Sequence, residues 1–143
     1  MSVSSVDSID RTVHKTNEWV AQLADELGTE DRESAWRVLK AYLQLLRDRL
    51  TIDESAQLAA QLPHLLRGVF YEGFDPGHQP EKIRDRQAFL TRFTAGAGLA
   101  DAGAAEQAAA AVTRVLRRHV TAGELDDVMV QLPPEIRELL EHA

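Results

Sequence analysis

The chain has 143 residues, no cysteine and a formal net charge of −7 at pH 7. A chain of this length can bury a core of its own, and the lack of cysteine excludes disulfides, thiolate metal sites and thiol nucleophiles. The negative charge disfavours nucleic acid as a partner, because the phosphate backbone would repel it. We therefore expect one domain that binds no nucleic acid.

The amino terminus has neither the basic nor the apolar segment of a secretory signal, and no apolar run is long enough to span a bilayer. Together with the lack of cysteine, this favours a cytoplasmic protein without membrane contact. Residues 1–11 are polar and aperiodic, which predicts a flexible tail. A single helical domain is then expected over residues 12–143.

Apolar residues recur at helical spacing through the first half of the chain. The first predicted helix contains Trp19 and Leu23 and ends at Gly28, because glycine tolerates the left-handed conformation that terminates many helices. The second is the clearest, since its apolar stripe continues from Ala35 to Leu50.

A threonine followed three residues later by a glutamate stands after each long helix, as Thr51 with Glu54 and as Thr121 with Glu124. In such a capping box the threonine hydroxyl accepts a hydrogen bond from the backbone N–H three residues on. The glutamate accepts one from the threonine N–H. Each pair predicts the start of a short helix.

A Leu-Pro step ends each of these short helices, because proline disfavours a helical residue before it and suits the first turn of a new helix. An arginine stands four residues after each proline, and we expect its guanidinium to bind carbonyl groups at the bend or a nearby carboxylate. The repeated structural signature is Thr51, Glu54, Leu62, Pro63 and Arg67, then Thr121, Glu124, Leu132, Pro133 and Arg137.

Two glycines and two prolines between Gly73 and Pro80 predict a loop with defined turns rather than a free linker. We place this joint between the two halves at residues 74–83. A helix then resumes through Phe89 and Phe93 and ends near Gly98.

The second half of the chain repeats the first at a fixed offset. Residues 19–70 align without a gap with residues 89–140, and 12 of these 52 positions are identical. One half alone is of marginal size, so we expect the halves to share one core. The predicted fold is all-α: an eight-helix single domain of two tandem four-helix repeats, about 14–73 and 84–141, related by a pseudo-twofold axis.

Three segments carry a family resemblance: residues 61–76 with their Gln-Leu-Pro run, Phe89-Leu90, and residues 123–139 with a second Gln-Leu-Pro. They resemble a bacterial family catalogued as domain of unknown function number 2267, and the similarity extends from residue 14 to 141. The resemblance implies a compact, usually small helical protein, sometimes joined to regulatory domains. It supplies no catalytic residues, and Phe74 stands where the family typically has tryptophan.

No pattern predicts a catalytic residue, a cofactor or a metal site. The histidines lack the spacing of zinc or di-iron motifs, and no serine stands in a nucleophile elbow. Glu124, Asp126 and Asp127 lie in the first turn of a predicted helix, where the free N–H groups favour carboxylates without any metal. We therefore expect a protein that is not an enzyme.

A specific function is expected where the halves differ. The leading hypothesis is a noncatalytic interaction or regulatory module that binds a protein partner or a second copy of itself as a homodimer. The alternative is a small-ligand-binding or sensory domain with a pocket between the repeats, lined by Trp36, Tyr42 and Phe70. The candidate interaction surface consists of Tyr71, Phe74, Pro76, His78 and Pro80.

Overall fold

The computed structural model describes residues 5–141, apart from the side chain of His78. Within these residues there are eight α-helices, a 3-10 helix at Pro76–His78 and no β-strand, which confirms the all-α, eight-helix prediction. No described helix is both long and apolar enough to cross a membrane. The α-helices are α1 (Asp7–Leu27), α2 (Arg32–Arg49), α3 (Ile52–Ala59), α4 (His64–Tyr71), α5 (Arg86–Ala97), α6 (Ala102–His119), α7 (Ala122–Gln131) and α8 (Pro134–Glu141).

The same capping residues bound helices in both halves. Gly28 ends α1 and Gly98 ends α5, with φ angles of 72° and 66° that favour glycine. The carboxylates of Asp31 and Asp101 then accept hydrogen bonds from backbone N–H groups at the starts of α2 and α6. The local sequence therefore fixes where both long helices begin.

The two long helices α2 and α6 lie at the centre of the molecule. Helices α1 and α5 each pack against both of them, so that each half supplies side chains to the other's core. Tyr42 of α2 lies edge-on to Phe93 of α5, and its hydroxyl hydrogen-bonds the hydroxyl of Thr113 in α6 at 2.7 Å. Side chains of both halves belong to one buried cluster.

Helix α1 begins at Asp7, inside the segment that was expected to be a tail. Asp7 and Asp10 lie in its first turn, where carboxylates interact favourably with the free N–H groups. The predicted tail over residues 1–11 is thus corrected, because 7–11 are helical. Residues 1–4 of that prediction lie outside the described part of the chain.

The joint between the halves is bound to helix α2. The guanidinium of Arg47 donates to the carbonyl of Glu72 at 2.7 Å and lies 5.8 Å from the ring centroid of Phe74. Further along, the N–H of Glu81 donates to the carbonyl of Asp48 at 2.6 Å. These contacts hold the connecting segment against the domain.

Candidate functional site

Helices α3 and α7 pack against each other, and reciprocal hydrogen bonds join their ends. The N–H of Thr51 donates to Oε1 of Gln131 at 3.0 Å, and the N–H of Thr121 donates to Oε1 of Gln61 at 2.8 Å. Thr51 and Thr121 precede the two helices, whereas Gln61 and Gln131 lie at their ends. The end of each helix thus caps the start of the other, and we call this contact the α3–α7 seam.

Only half of each predicted capping box forms. The hydroxyl of Thr51 accepts from the N–H of Glu54 at 3.1 Å, and that of Thr121 accepts from the N–H of Glu124 at 3.2 Å. The glutamates do not bind the threonine N–H groups, because the glutamine side chains of the opposite half occupy them. The predicted role of the two glutamate side chains is therefore corrected: they meet in the α3–α7 seam.

The carboxyl groups of Glu54 and Glu124 are buried together. Their side chains are 6% and 7% exposed, and Oε2 of each is buried with no hydrogen-bond partner among the described residues. The exposed Asp127 adds a third carboxylate, and oxygen atoms of the three groups lie within 4.8 Å of one another. Buried ionised carboxylates without partners are costly, so this cluster favours uptake of a proton or a cation.

Burial raises the pKa of Glu124 to about 8. The neighbouring Glu54 carboxyl adds to this effect through a hydrogen bond to the protonated form and through its negative charge, and Asp127 adds further repulsion. At neutral pH the Glu124 carboxyl is therefore mostly protonated and can donate a hydrogen bond across the seam.

A pair of carboxyl groups in which one is held protonated also occurs in acid–base catalysis. A catalytic pair needs a cleft where the substrate can reach it. Neither Glu54 nor Glu124 lines the main surface clefts that the described residues form. The seam thus has the acids of such a pair, placed outside those five clefts.

Arg67 and Arg137 make matching contacts at the two Leu-Pro bends. Nε of Arg67 donates to the carbonyl of Ala59, and Nε of Arg137 donates to the carbonyl of Met129, both at 2.9 Å. In each half Nη2 donates to two further carbonyls of the same bend. The carbonyls of Ala59 and Met129 also accept from the N–H groups of Leu62 and Leu132, so each arginine adds a second donor there. It also binds two further carbonyls that the end of the helix frees.

The candidate surface around the joint is partly used within the fold. Tyr71 and Phe74 are half-buried and lie edge-on to each other at 5.3 Å, and Tyr71 meets Phe70 in the same way at 5.2 Å. Pro76 and Pro80 are exposed. The side chain of His78 lies outside the described part of the structure.

The three residues expected to line a pocket between the repeats do not share one. Tyr42 and Phe70 are fully buried core residues, whereas Trp36 lines a shallow cleft with Val20 and Leu65. The predicted pocket is therefore corrected, because Tyr42 of α2 and Phe70 of α4 belong to the buried cluster that the helices share.

Helix α1 has an extension without a helical counterpart. In the alignment of the halves, Arg86 at the start of α5 corresponds to position 16, so residues 7–15 of α1 match 77–85, which contain the end of the 3-10 helix but no α-helix. We call residues 7–15 the α1 extension. Val6, just before it, and Ile9 and Val13 within it are 56%, 58% and 43% exposed.

These exposed residues continue the buried face of α1. Alternating steps of three and four residues lead from Val6 through Val13 to Thr16, Val20 and Leu23, which are buried. Such spacing is typical of the apolar face along which one helix packs against another. The inner part of this face packs on the core, while the outer part faces solvent.

Comparison with known proteins identifies the family. Residues 16–139 match a protein family described as "Uncharacterized conserved protein (DUF2267)". The chain belongs to this family. Among curated proteins, no relative matches the chain significantly. The DUF2267 match begins at residue 16, so it covers the α3–α7 seam and leaves the α1 extension outside.

Proposed function

We propose that this DUF2267 protein is a noncatalytic helical interaction module that self-associates through the α1 extension. The proposal rests on the exposed apolar face of the α1 extension, a stretch of helix that has no α-helical counterpart in the second half. An apolar helix face in water is stabilised when another helix covers it.

Charge favours a second copy of the chain as the occupant of this face. Asp7 and Asp10 lie at the outer end of the α1 extension, whereas Arg11 and Lys15 follow toward the domain, and all four are exposed. An antiparallel pair of extensions would set the acidic end of one copy beside the basic end of the other. Such a twofold contact closes on itself and gives a homodimer.

Sedimentation equilibrium of the full chain tests the dimer. We expect the Ile9→Asp, Val13→Asp double variant to stay monomeric at concentrations where the unchanged chain dimerises, because buried charges oppose pairing. Val130→Asp is the matched control, since Val130 of α7 is 73% exposed and lies outside the extension. A strictly monomeric unchanged chain, or equal dimerisation of the double variant, would contradict the proposal.

The joint surface is the competing contact. Phe74→Ala removes the ring that lies beside Arg47 and Tyr71. If the dimer forms through the α1 extension, this variant loses stability but still dimerises. Loss of the dimer in a folded Phe74→Ala variant would place the contact at the joint instead.

We also propose that the two halves are repeats related by a pseudo-twofold axis. The packing of α1 on α6 is matched by α5 on α2, that of α4 on α1 by α8 on α5, and α3 packs on its own counterpart α7. The glutamine caps and the arginine contacts add equivalent hydrogen bonds in each half.

A small-ligand role is the second candidate, and one cleft favours it. This cleft, of about 480 Å³, lies between α1, the first Leu-Pro bend and His119 of α6. Arg11, Lys15 and Arg67 line it beside one carboxylate, that of Glu18, and this excess of cationic groups favours an anionic ligand. Trp19 also lines the cleft and stacks on His119. Its fluorescence, measured in a Trp36→Phe background, should respond to inorganic phosphate if the cleft binds anions.

The remaining parts of the proposed role follow from composition. The net charge of −7 supports a protein partner rather than nucleic acid. The absence of cysteine supports a cytoplasmic location. Activity against a carboxyl-dependent substrate class that disappears in Glu124→Gln would overturn the noncatalytic proposal.

A further inference from the structure

We infer that Glu54, Glu124 and Asp127 form a binding site for one divalent cation, with Ca²⁺ as the best-fitting ion. All three offer carboxylate oxygens, and no histidine or cysteine belongs to the cluster. Oxygen-only sites suit hard cations such as Ca²⁺, Mg²⁺ and Mn²⁺ rather than zinc or copper.

The coordination chemistry of Ca²⁺ fits this cluster better than that of Mg²⁺. One oxygen of each carboxylate lies within 4.8 Å of the others. Mg²⁺ demands near-ideal octahedral geometry and gives up its water ligands reluctantly, whereas Ca²⁺ takes about six to eight oxygen ligands at variable distances. Ca²⁺ also accepts irregular geometry, so small side-chain rotations would suffice to complete its coordination.

The burial of two carboxylate oxygens in the cluster is a second reason to expect a ligand. Oε2 of Glu54 and Oε2 of Glu124 are buried without any hydrogen-bond partner among the described residues. The residues that carry them are more than nine-tenths buried. A bound cation would take the place of the proton on Glu124, satisfy both oxygens at once and offset their mutual repulsion.

The first and second halves contribute unequally to this site. Glu54 and Glu124 occupy equivalent positions, but the counterpart of Asp127 is the neutral Gln57. The exposed Asp127 therefore gives the cluster one solvent-facing side, where an ion could enter and keep water ligands. A cation held there would tie α3 to α7 and thus one half of the domain to the other.

Thermal unfolding of the full chain, stripped of metal with EDTA, tests the inference. CaCl₂ should raise Tm with a midpoint on the order of 1 mM, MgCl₂ should act more weakly, and NaCl at equal ionic strength should not reproduce the effect. Asp127→Asn should weaken Ca²⁺ binding by about tenfold or more. Asp126→Asn is the matched control, because Asp126 is an exposed neighbour outside the cluster and should leave the affinity unchanged.

Glu124→Gln provides a second variant in the buried part of the site. It should fold, as followed by circular dichroism, and lose the Ca²⁺ response, since a neutral amide replaces a charged ligand. Electron paramagnetic resonance of Mn²⁺ gives a readout that does not depend on stability. The inference is overturned if no tested cation binds, or if Asp127→Asn and Asp126→Asn respond alike. Repeating the titration in the Ile9→Asp, Val13→Asp chain separates cation binding from dimer formation.

Discussion

The α3–α7 seam and the α1 extension differ in how the two halves of the chain contribute to them. At the seam the two backbone caps are equivalent, since Gln131 accepts from the N–H of Thr51 just as Gln61 accepts from the N–H of Thr121. The extension exists once, because the matching stretch of the second half forms part of the joint. Contacts present in both halves stabilise the common architecture, whereas a structure present once is free to serve a specific contact.

The same contrast is visible in the apolar side chains. In the body of the domain, most large apolar side chains are buried in one shared cluster, and Ile52, Leu65 and Val130 are single exposed ones. In the α1 extension, Ile9 and Val13 lie on a continuation of such a face but remain exposed. The extension therefore resembles half of a helix pair more than a tail.

Removal of one half should have the largest effect on stability, because the two halves share one core. We predict that residues 5–73 alone do not fold, because α1 would lose its contact with α6 and α2 would lose its contact with α5. Circular dichroism and urea titration provide the measurement. Cooperative unfolding of this fragment as a monomer would show that the halves are independent domains.

The arginines at the two bends should be equivalent in energy. We predict that Arg67→Ala and Arg137→Ala each lower the free energy of unfolding by about 2 to 3 kcal/mol, because each leaves carbonyl groups without their charged donor. Urea denaturation of each variant measures this loss, and Arg37→Ala, on the exposed side of α2, is the control. A large difference between the two bends would argue against equivalent repeats.

Much of this architecture could be predicted from the sequence, for local reasons. Gly28 with Asp31, and Gly98 with Asp101, mark helix ends and starts through hydrogen bonds within a few residues. The Leu-Pro steps did the same for the bends. Such contacts are short in sequence, so the residue types alone were sufficient to predict the helices.

The seam was harder to predict because its contacts are distant in sequence. The Thr-x-x-Glu spacing indicated a complete capping box, but Gln61 and Gln131 bind the threonine N–H groups from the opposite half. The one sequence signal for the pairing of Glu54 with Glu124 was that the same residue stands at the equivalent position of each half. Equivalent residues on helices that pack on their own counterparts must lie near each other, and that pairing required the fold.

The pH dependence of stability should reveal whether Glu124 carries a proton in the α3–α7 seam. The pKa of Glu124 is 4.5 as an isolated group and about 8 in the fold. The folded state therefore keeps a proton that the unfolded chain loses, so this contribution is fully present below pH 4.5 and declines as the pH rises through 8. In EDTA, the native chain should lose about 3 kcal/mol more than Glu124→Gln between about pH 5 and pH 8.

Urea titrations across this pH range measure the difference between the two chains. Asp127 and Glu54 are the other charged groups that face Glu124, so Asp127→Asn should reduce the pH dependence only partly. Parallel pH profiles for the native chain and Glu124→Gln would contradict a protonated carboxyl in the seam.

The smallest predicted effect concerns the glutamine caps. Gln61→Ala and Gln131→Ala should each cost about 1 kcal/mol, because each removes a hydrogen bond to a partly solvated N–H group. Measured by thermal unfolding, Gln61→Ala should cost slightly more, because Nε2 of Gln61 also donates to the hydroxyl of Thr121 at 3.2 Å. A cost for one glutamine only would mean that the two caps are not equivalent.

The sequence did not reveal the α1 extension as a helix, because its few apolar residues lie among polar ones. Val6, Ile9 and Val13 are single apolar positions in a charged stretch, which by itself resembles a disordered tail. Their significance appears only when the apolar face of α1 is followed from them to Thr16 and Val20, which are buried in the fold.

Amide hydrogen exchange of the full chain at increasing concentration shows whether the α1 extension is the surface of self-association. If it is, the amides of residues 7–15 gain protection as concentration rises, while the Ile9→Asp, Val13→Asp chain shows no such gain. Exchange in this segment that is independent of concentration, or new protection confined to the joint at residues 74–83, would contradict self-association through α1.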